Sequence, residues 1–151
     1  MRRLFLLFCL WALAGCHSGD FIKIGVSAPL TGDIAALGQS TKNAALMAEE
    51  AINKKGGLKI DGALKKVKFI IEDDENKPES TATVFQKLIS QDKVVAIIGS
   101  QSSKCSNAGA PIAESAKIPQ ISPWSTNPNV TKGRRYVFRA CFIDPFQGKV
   151  V

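Results

Sequence analysis

The chain has 151 residues, of which 20 are Lys or Arg and 13 are Asp or Glu, giving a formal net charge of +7. That length allows one domain with a real core, and 45% hydrophobic with 22% charged residues is typical of a globular protein. The lysines are scattered rather than arranged in a stripe interleaved with aromatic residues, so nucleic-acid binding is disfavoured against a solvated basic surface.

The first sixteen residues, MRRLFLLFCLWALAGC, have the pattern of a secretory signal. Two arginines precede an apolar run that is too short to span a bilayer as a helix. The run ends in LAGC, which resembles a bacterial lipobox, where the thiol of Cys16 takes a diacylglyceryl group. We expect residues 1–15 to be a lipoprotein signal and residues 16–20 a tether anchored to a membrane outside the cytoplasm. An ordinary signal with a chance cysteine is the alternative.

Two cysteines, Cys105 and Cys141, remain after the signal and the lipid site are set aside. An exported chain lies where disulfides persist, so these two can pair. Their spacing fits neither a zinc site nor a C-x-x-C motif, so no metal is predicted. The alternative is a pair of small buried apolar side chains.

The first half of the remaining chain reads as two strand–helix pairs. Residues 21–30 and 64–73 alternate as strands do, with the turn IDGA before the second. One helix is predicted over about residues 38–53, and a second is predicted to open at Pro78. Helical spacing predicts the following buried positions: Ala44, Met47, Ala48, Ala51 and Ile52 in the first helix, and Ala82, Phe85, Leu88 and Ile89 in the second.

A third strand–helix pair follows. The continuous apolar run from Val94 to Gly99 is typical of a strand buried on both faces of a parallel sheet. The next helix is expected to end near Ala116 and to begin no earlier than about Asn107, because Pro111 would clash inside a helix.

Two more short strands are predicted at residues 118–122 and 135–143. The alternation of strands and helices predicts an α/β fold, a doubly wound parallel sheet. Asp144 and Pro145 look like the N-cap and first residue of a further helix, which is cut short where the chain stops at Val151. We therefore expect the chain to be a fragment.

Ligands of open parallel sheets bind beyond the carboxyl ends of the strands. Two predicted loops there are informative. The loop GSQSSKCSNAG places Ser100, Ser102 and Ser103 before a helix N-terminus, where free N–H groups and hydroxyls suit a carboxylate. The loop ISPWSTNP is stiffened by prolines and presents Trp124 beside hydroxyls. A capping loop without a ligand and a packed loop tryptophan are the alternative interpretations.

Enzyme signatures are weak. No G-x-G-x-x-G follows the first strand and no Walker A motif occurs, so a nucleotide cofactor is not predicted. His17 is the only histidine, so no Ser-His pair is available. The acidic stretch EDDE, residues 72–75, is interpreted as a solvated strand end rather than a catalytic or metal site.

Four stretches together resemble the leucine/isoleucine/valine-binding family of extracytoplasmic receptors of ABC transporters: IGVSAPLTGDIAALGQSTKNAALMAEEAIN, VVAIIGSQSS, ISPWSTNP and FRACFIDPFQG. The resemblance covers residues 21–151. It implies the type I periplasmic binding protein fold, in which two Rossmann-like lobes joined by hinge strands close on a ligand. Residues 21–143 would form the N-terminal lobe, and residues 144–151 the truncated start of a hinge or second-lobe helix.

The same resemblance implies ligand-binding residues. Ser103 matches the serine that binds the ligand carboxylate, with Ser102 beside it. Trp124 and Thr126 match loop positions that grip the carboxylate and ammonium, and Ser125 lies between them. Leu37 stands where branched-chain receptors often carry a tyrosine against the ligand.

Other family features are changed or missing. A disulfide found near the site in the best-known members is replaced by Asn76 and Ser102, and the acid that neutralises the ligand ammonium belongs to the second lobe. The expected function is binding of an amino acid, branched-chain or otherwise apolar, or of a similar small carboxylate, for delivery to an ABC permease. A ligand-sensing lobe of a signalling receptor, and a receptor for amides, urea or aromatic acids, are the alternatives.

Overall fold

The computed structural model describes residues 21–150, so the predicted signal, tether and lipidated Cys16 lie outside the described residues. In chain order the elements are β1 (Ile22–Ala28), α1 (Ala35–Lys54), β2 (Leu58–Ile60), β3 (Ala63–Lys65), β4 (Val67–Asp73), α2 (Pro78–Ser90), β5 (Ala96–Ile98), α3 (Ser103–Ala116), β6 (Gln120–Ser122), β7 (Val137–Arg139) and α4 (Asp144–Val150). A 3-10 turn at Pro128–Val130 lies between β6 and β7.

Five of the strands form one sheet in the order β4-β1-β5-β6-β7, and every neighbouring pair is parallel. The chain moves from β1 to β4 in one direction and from β4 to β5 in the other. Right-handed crossovers therefore put α1 on one face and α2 on the opposite face. The predicted doubly wound α/β fold is confirmed, and its topological switch point lies between β1 and β5.

The larger part of the core lies under α2 and α3. Phe85 and Leu88 of α2 are fully buried with Ile97 of β5 and Ala113 of α3. A Cβ added at Gly109 of α3 would come within 2.6 Å of the Phe85 ring, so glycine permits the close approach of the two helices. Of the four positions predicted in α2, Phe85 and Leu88 are buried, whereas Ala82 and Ile89 are half-buried.

Of the five apolar positions predicted in α1, only Ile52 is even half-buried. Ala44, Ala48 and Ala51 are exposed, and the side chain of Met47 is 70% exposed. The face that meets the sheet is instead partly polar, because β4 is an edge strand whose backbone needs partners. Asn53 pairs with both the N–H and the C=O of Val67 at 2.9 Å, and Glu49 accepts from the N–H of Phe69 at 2.6 Å.

The predicted start of α3 is also wrong. The helix begins at Ser103 and carries Pro111 in its interior. A proline there removes one backbone hydrogen bond and crowds the carbonyl four residues earlier, which is the reason for expecting a later start. The helix tolerates this because its buried face, which includes Cys105 and Ala110, packs over its whole length. Consequently the Ser-rich loop is shorter than expected, and Ser103 is the first helical residue.

The remaining strands differ from expectation mainly in length. The segment before β4 is not part of that strand but forms a hairpin with β2, built on the predicted turn IDGA. In β5, Ile97 and Ile98 pack in clusters on opposite faces of the sheet, but Val95 before it is 54% exposed. Val94 at the start of the run is buried in the same core cluster as Ile97, so the predicted burial fails at Val95 and not along the whole amino end.

One face of β6 and β7 is open. Ile121 and Phe138 are register partners, so they lie side by side, and they are 42% and 49% exposed. The opposite face is covered, since Val137 packs against Ala110 of α3 and Val130. Between residues 21 and 150 no helix is both long and apolar enough to cross a membrane.

Candidate functional site

Three loops meet at the carboxyl edge of the sheet, around the switch point. They follow β1, β5 and β6. Gly99 allows the second loop to begin close to β1, because its φ is +126° and an added Cβ would lie 2.2 Å from the carbonyl oxygen of Ser27 in that strand. The hydroxyl of Ser125 in the third loop donates to the carbonyl oxygen of Gln101 in the second, so two of the loops that border the predicted crevice are in direct contact.

The N-terminus of α3 is not capped by its own N-cap residue. Ser102 has extended backbone angles, φ −78° and ψ 147°, but makes no side-chain hydrogen bond to the first helical turn. Among the described residues its buried Oγ has no hydrogen-bond partner. The first N–H groups of a helix also lack intrahelical acceptors, so this end can bind an anion. Lys104, in the first turn, is exposed and adds positive charge.

Ser103 connects the loops after β5 and β6. Its Oγ accepts a hydrogen bond from the N–H of Asn127 at 3.3 Å. The hydroxyl of Ser103 donates no hydrogen bond to another of residues 21–150, so its proton can be donated to a ligand. Thr126 precedes Asn127 directly, so the predicted hydroxyls of Ser103 and Thr126 belong to segments that touch.

Ser125 is held inside the protein and does not present its hydroxyl to a ligand. Its side chain is only 1% exposed, its Oγ donates to the carbonyl oxygen of Gln101 at 3.0 Å, and it lies 2.7 Å from Oγ of Ser106. Its N–H donates to Oγ of Ser122 at 3.1 Å. Ser125 therefore positions the loop that carries Trp124 and Thr126.

The neighbours of Ser125 are more accessible. Trp124 is 50% exposed, so its ring is available to a ligand rather than packed in the core. Thr126 is half-buried, and its carbonyl oxygen accepts from the N–H of Asp144, which joins the loop to α4. Leu37, in the first turn of α1, is half-buried, and its carbonyl oxygen accepts from Nε2 of Gln101 at 3.0 Å.

A profile of the periplasmic binding protein family matches residues 22–147. The chain belongs to this family. It is 34% identical over 154 aligned residues to a leucine-, isoleucine-, valine-, threonine- and alanine-binding protein of Pseudomonas aeruginosa, with 99% of this chain and 40% of that protein covered. The resemblance inferred from the four sequence stretches is therefore confirmed.

Solved structures of the family give the same result. The leucine-binding protein LivK of Thermotoga maritima is 40% identical, with a TM-score of 0.77, covering 85% of this chain and 35% of that one. A solute-binding protein of an ABC transporter from Rhodopseudomonas palustris, in complex with 3,4-dihydroxybenzoic acid, is 33% identical with a TM-score of 0.71, covering 82% and 32%. The chain spans about 40% or less of the length of these relatives.

In this member of the family, two acidic residues missed as functional organise the crevice. Asp74 was expected at a solvated strand end, yet it is fully buried. Its carboxylate accepts from the hydroxyl of Ser27 at 2.8 Å, from the hydroxyl of Ser100, and from the N–H of Asn76 at 3.0 Å. It therefore ties the carboxyl ends of β1, β4 and β5 together. The sequence EDDE alone gives no sign that only one of its members is buried.

Asp73 holds the loop after β1. Its carboxylate accepts from the N–H of Leu30 at 2.8 Å and from the hydroxyl of Thr31 at 2.6 Å. Burial acts to raise the pKa of Asp73, but the hydrogen bonds from Thr31, Glu75 and Leu30 outweigh it and leave the pKa below its usual value.

The cysteines do not form a disulfide. Cys105 and Cys141 are both free, the first buried and the second half-buried. Sγ of Cys105 lies 3.7 Å from Oδ1 of Asn76, one of the two positions where the family resemblance implies a disulfide in other members. Within the described part of the chain, no group of three or more His, Cys, Asp or Glu side chains could hold a metal ion.

Proposed function

We propose that the chain is the first lobe of an extracytoplasmic solute-binding receptor that binds the carboxylate of a small molecule at the N-terminus of α3. The observation that carries this proposal is the uncapped helix end. Ser102 leaves the first-turn N–H groups uncapped, and Ser103 beside it has a hydroxyl proton to donate. Charged hydrogen bonds of this kind are the strong ones, since an ionised acceptor roughly doubles their strength.

The family relationship supports an amino acid as the ligand. One relative is a leucine-, isoleucine-, valine-, threonine- and alanine-binding protein, and another is a leucine-binding protein. Trp124, 50% exposed beside the carboxylate loop, offers an apolar surface to such a side chain. Leu37, in place of the expected tyrosine, adds an aliphatic wall from α1.

An aromatic carboxylate is the second candidate. One similar solved structure contains 3,4-dihydroxybenzoic acid, which shares the carboxylate but has no ammonium group. The exposed ring of Trp124 suits stacking against a flat ligand equally well. The two candidates differ in whether an ammonium group is needed, which an experiment can decide.

The family relationship supports delivery to a transporter, and the LAGC sequence supports a lipid anchor. The receptor would deliver its ligand to an ABC permease, while Cys16 would carry the lipid that anchors it to a membrane outside the cytoplasm. Its role would be binding rather than catalysis, without a cofactor. A sensing lobe of a signalling system would use the same site, and a fused or neighbouring signalling domain would distinguish it.

The test is a titration of the chain with matched ligands, followed by two-dimensional NMR of its amides. Leucine, leucinamide and isoamylamine share a side chain, but only leucine has a carboxylate. We expect leucine to shift the amides of Ser103, Lys104 and Thr126, whereas the two analogues leave them unchanged. Equal shifts from isoamylamine would rule out carboxylate binding at this helix end. Shifts from benzoate derivatives but not from leucine would select the second candidate.

A further inference from the structure

Gln101 contacts both α1 and the loop after β6, although neither composition nor spacing in the sequence indicates this. Its side chain is only 3% exposed. Nε2 donates to the carbonyl oxygen of Leu37 at 3.0 Å and contacts Oγ1 of Thr41, both in α1. On the other side, its carbonyl oxygen accepts from Oγ of Ser125 at 3.0 Å. One residue therefore connects α1, the loop after β5 and the loop after β6.

Only the nitrogen of the Gln101 side-chain amide makes hydrogen bonds. Both partners are reached by Nε2, whereas Oε1 is buried and has no hydrogen-bond partner among residues 21–150. An unpartnered buried acceptor carries a desolvation cost, which an apolar side chain of the same size would avoid. The residue is thus poorly suited to stability alone but well suited to donating to α1.

We infer that Gln101 is a positioning residue that sets the distance between the Leu37 turn of α1 and the carboxylate-binding loops, and thereby the size of ligand side chain that the cleft accepts. This inference deepens the proposed function and rests on it. The other contacts at the start of α1 run to the loop after β1, not to the loops after β5 and β6. Nε2 of Gln39 donates to the carbonyl oxygen of Leu30 at 3.3 Å, and Gly38 packs closely on the carbonyl oxygen of Pro29. The start of α1 has no N-cap side-chain bond, and the N–H groups of Leu37 and Gly38 bond only to the carbonyl of Ile34 nearby.

The first experiment needs no ligand. Gln101→Met keeps the side-chain volume but removes the donors to Leu37 and Thr41. We expect amide hydrogen exchange at residues 37, 38 and 41 to accelerate at least about tenfold, because local opening of the helix start is no longer opposed. Exchange in α2, at Phe85 and Leu88, should stay as in the wild type.

Gln120→Met is the matched control. Gln120 is also a fully buried glutamine with an unpartnered Oε1, but its Nε2 donates to the carbonyl oxygens of Gly99, at 2.9 Å, and Ser106. The Gln120→Met substitution should leave amide hydrogen exchange at Leu37 and Gly38 unchanged. If Gln101→Met does not fold, Thr41→Val removes one partner from the other side and should accelerate the same amides. Unchanged amide exchange at residues 37, 38 and 41 in the test variant, or equal acceleration of these amides in Gln120→Met, would overturn the positioning role.

The second experiment separates positioning from general weakening. In Gln101→Met, leucine should lose about tenfold in affinity, because its side chain reaches the displaced wall, while alanine should bind as to the wild type. A uniform loss for both amino acids would overturn the inference. If neither the two amino acids nor 3,4-dihydroxybenzoate binds the wild-type chain, the proposed function fails, and the exchange experiment still decides whether Gln101 positions α1.

Discussion

The backbone N–H of Asn127 donates to Oγ of Ser103 across 3.3 Å and thereby joins the first residue of α3 to the loop after β6. Since this bond occupies an acceptor site of the hydroxyl, the Ser103 proton is directed elsewhere. The carboxylate-binding proposal assigns it to the ligand. The Ser103 hydroxyl would then accept a hydrogen bond from the loop after β6 and donate one to a ligand oxygen. The side chain would therefore both hold the loop in place and bind the ligand.

In a two-lobed receptor that contains this lobe, Ser103→Ala should weaken binding of the carboxylate ligand. Loss of one hydrogen bond to a charged group costs about 1.5–3 kcal/mol, roughly ten- to a hundredfold in affinity. Thr126→Ala should fall in the same range. Ser90→Ala is the control, because its hydroxyl bonds only to the carbonyl oxygen of Gln86 on the exposed face of α2. Titration by NMR measures all three, and unchanged affinity in both cleft variants would remove these residues from the site.

The Asp73 carboxylate should make stability depend on pH. Its pKa in the folded protein lies below the usual 3.8, since the hydrogen bonds from Thr31, Glu75 and Leu30 outweigh burial. The ionised form therefore stabilises the fold above the unfolded pKa, and this contribution disappears as the pH falls through the folded pKa. Asp73→Asn should lower the free energy of unfolding by about 1 kcal/mol near neutral pH, with a smaller deficit near pH 2.

Urea unfolding of the wild type and Asp73→Asn at the two pH values tests this dependence. Asp33→Asn, an exposed carboxyl in the same loop, should show no comparable change. An Asp73→Asn deficit that is the same at both pH values would mean that the ionised carboxylate does not hold the loop after β1.

The sequence predicts the layer order of the fold better than its polar interior. Alternating strand and helix patterns lead to the parallel sheet, because crossover handedness leaves few other arrangements. Apolar spacing misplaces the buried face of α1, where Glu49 and Asn53 serve the exposed edge of β4. Edge-strand pairing depends on strand order, which hydrophobic periodicity does not encode.

The candidate site also has one part that the sequence predicts and another that it does not. A Ser-rich segment before a helix suggests an anion site from local chemistry alone. Yet the sequence cannot separate Ser125, whose hydroxyl is buried, from Thr126, the next residue. Gln101 and Asp74 are missed because most partners of their side chains lie 26 or more residues away along the chain. Such contacts exist only once the three loops are brought together.

Cys16 is predicted to be the lipidated N-terminus of the mature protein. Intact-mass measurement of the protein extracted from membranes should show the acyl increment on a chain that begins at Cys16. Cys16→Ser should yield an unprocessed precursor or a product without lipid, because the thiol is the acceptor. Cys141→Ser is the control and should be lipidated normally. A mature chain that begins elsewhere without lipid would contradict the prediction.

The 151-residue chain should bind its ligand only weakly. It covers about 40% or less of its relatives, and small-ligand sites normally bury most of the ligand surface. With one lobe the ligand stays half solvated, which weakens each hydrogen bond through water and leaves the ammonium without an acidic partner. Micromolar affinity in a two-lobed receptor corresponds to a binding free energy of about −8 kcal/mol. Loss of several kcal/mol of that binding free energy lowers the affinity to about millimolar. Titration with leucine, alanine and 3,4-dihydroxybenzoate measures the value directly. Micromolar binding would show that this lobe suffices, and the second wall of the cleft would then not be needed.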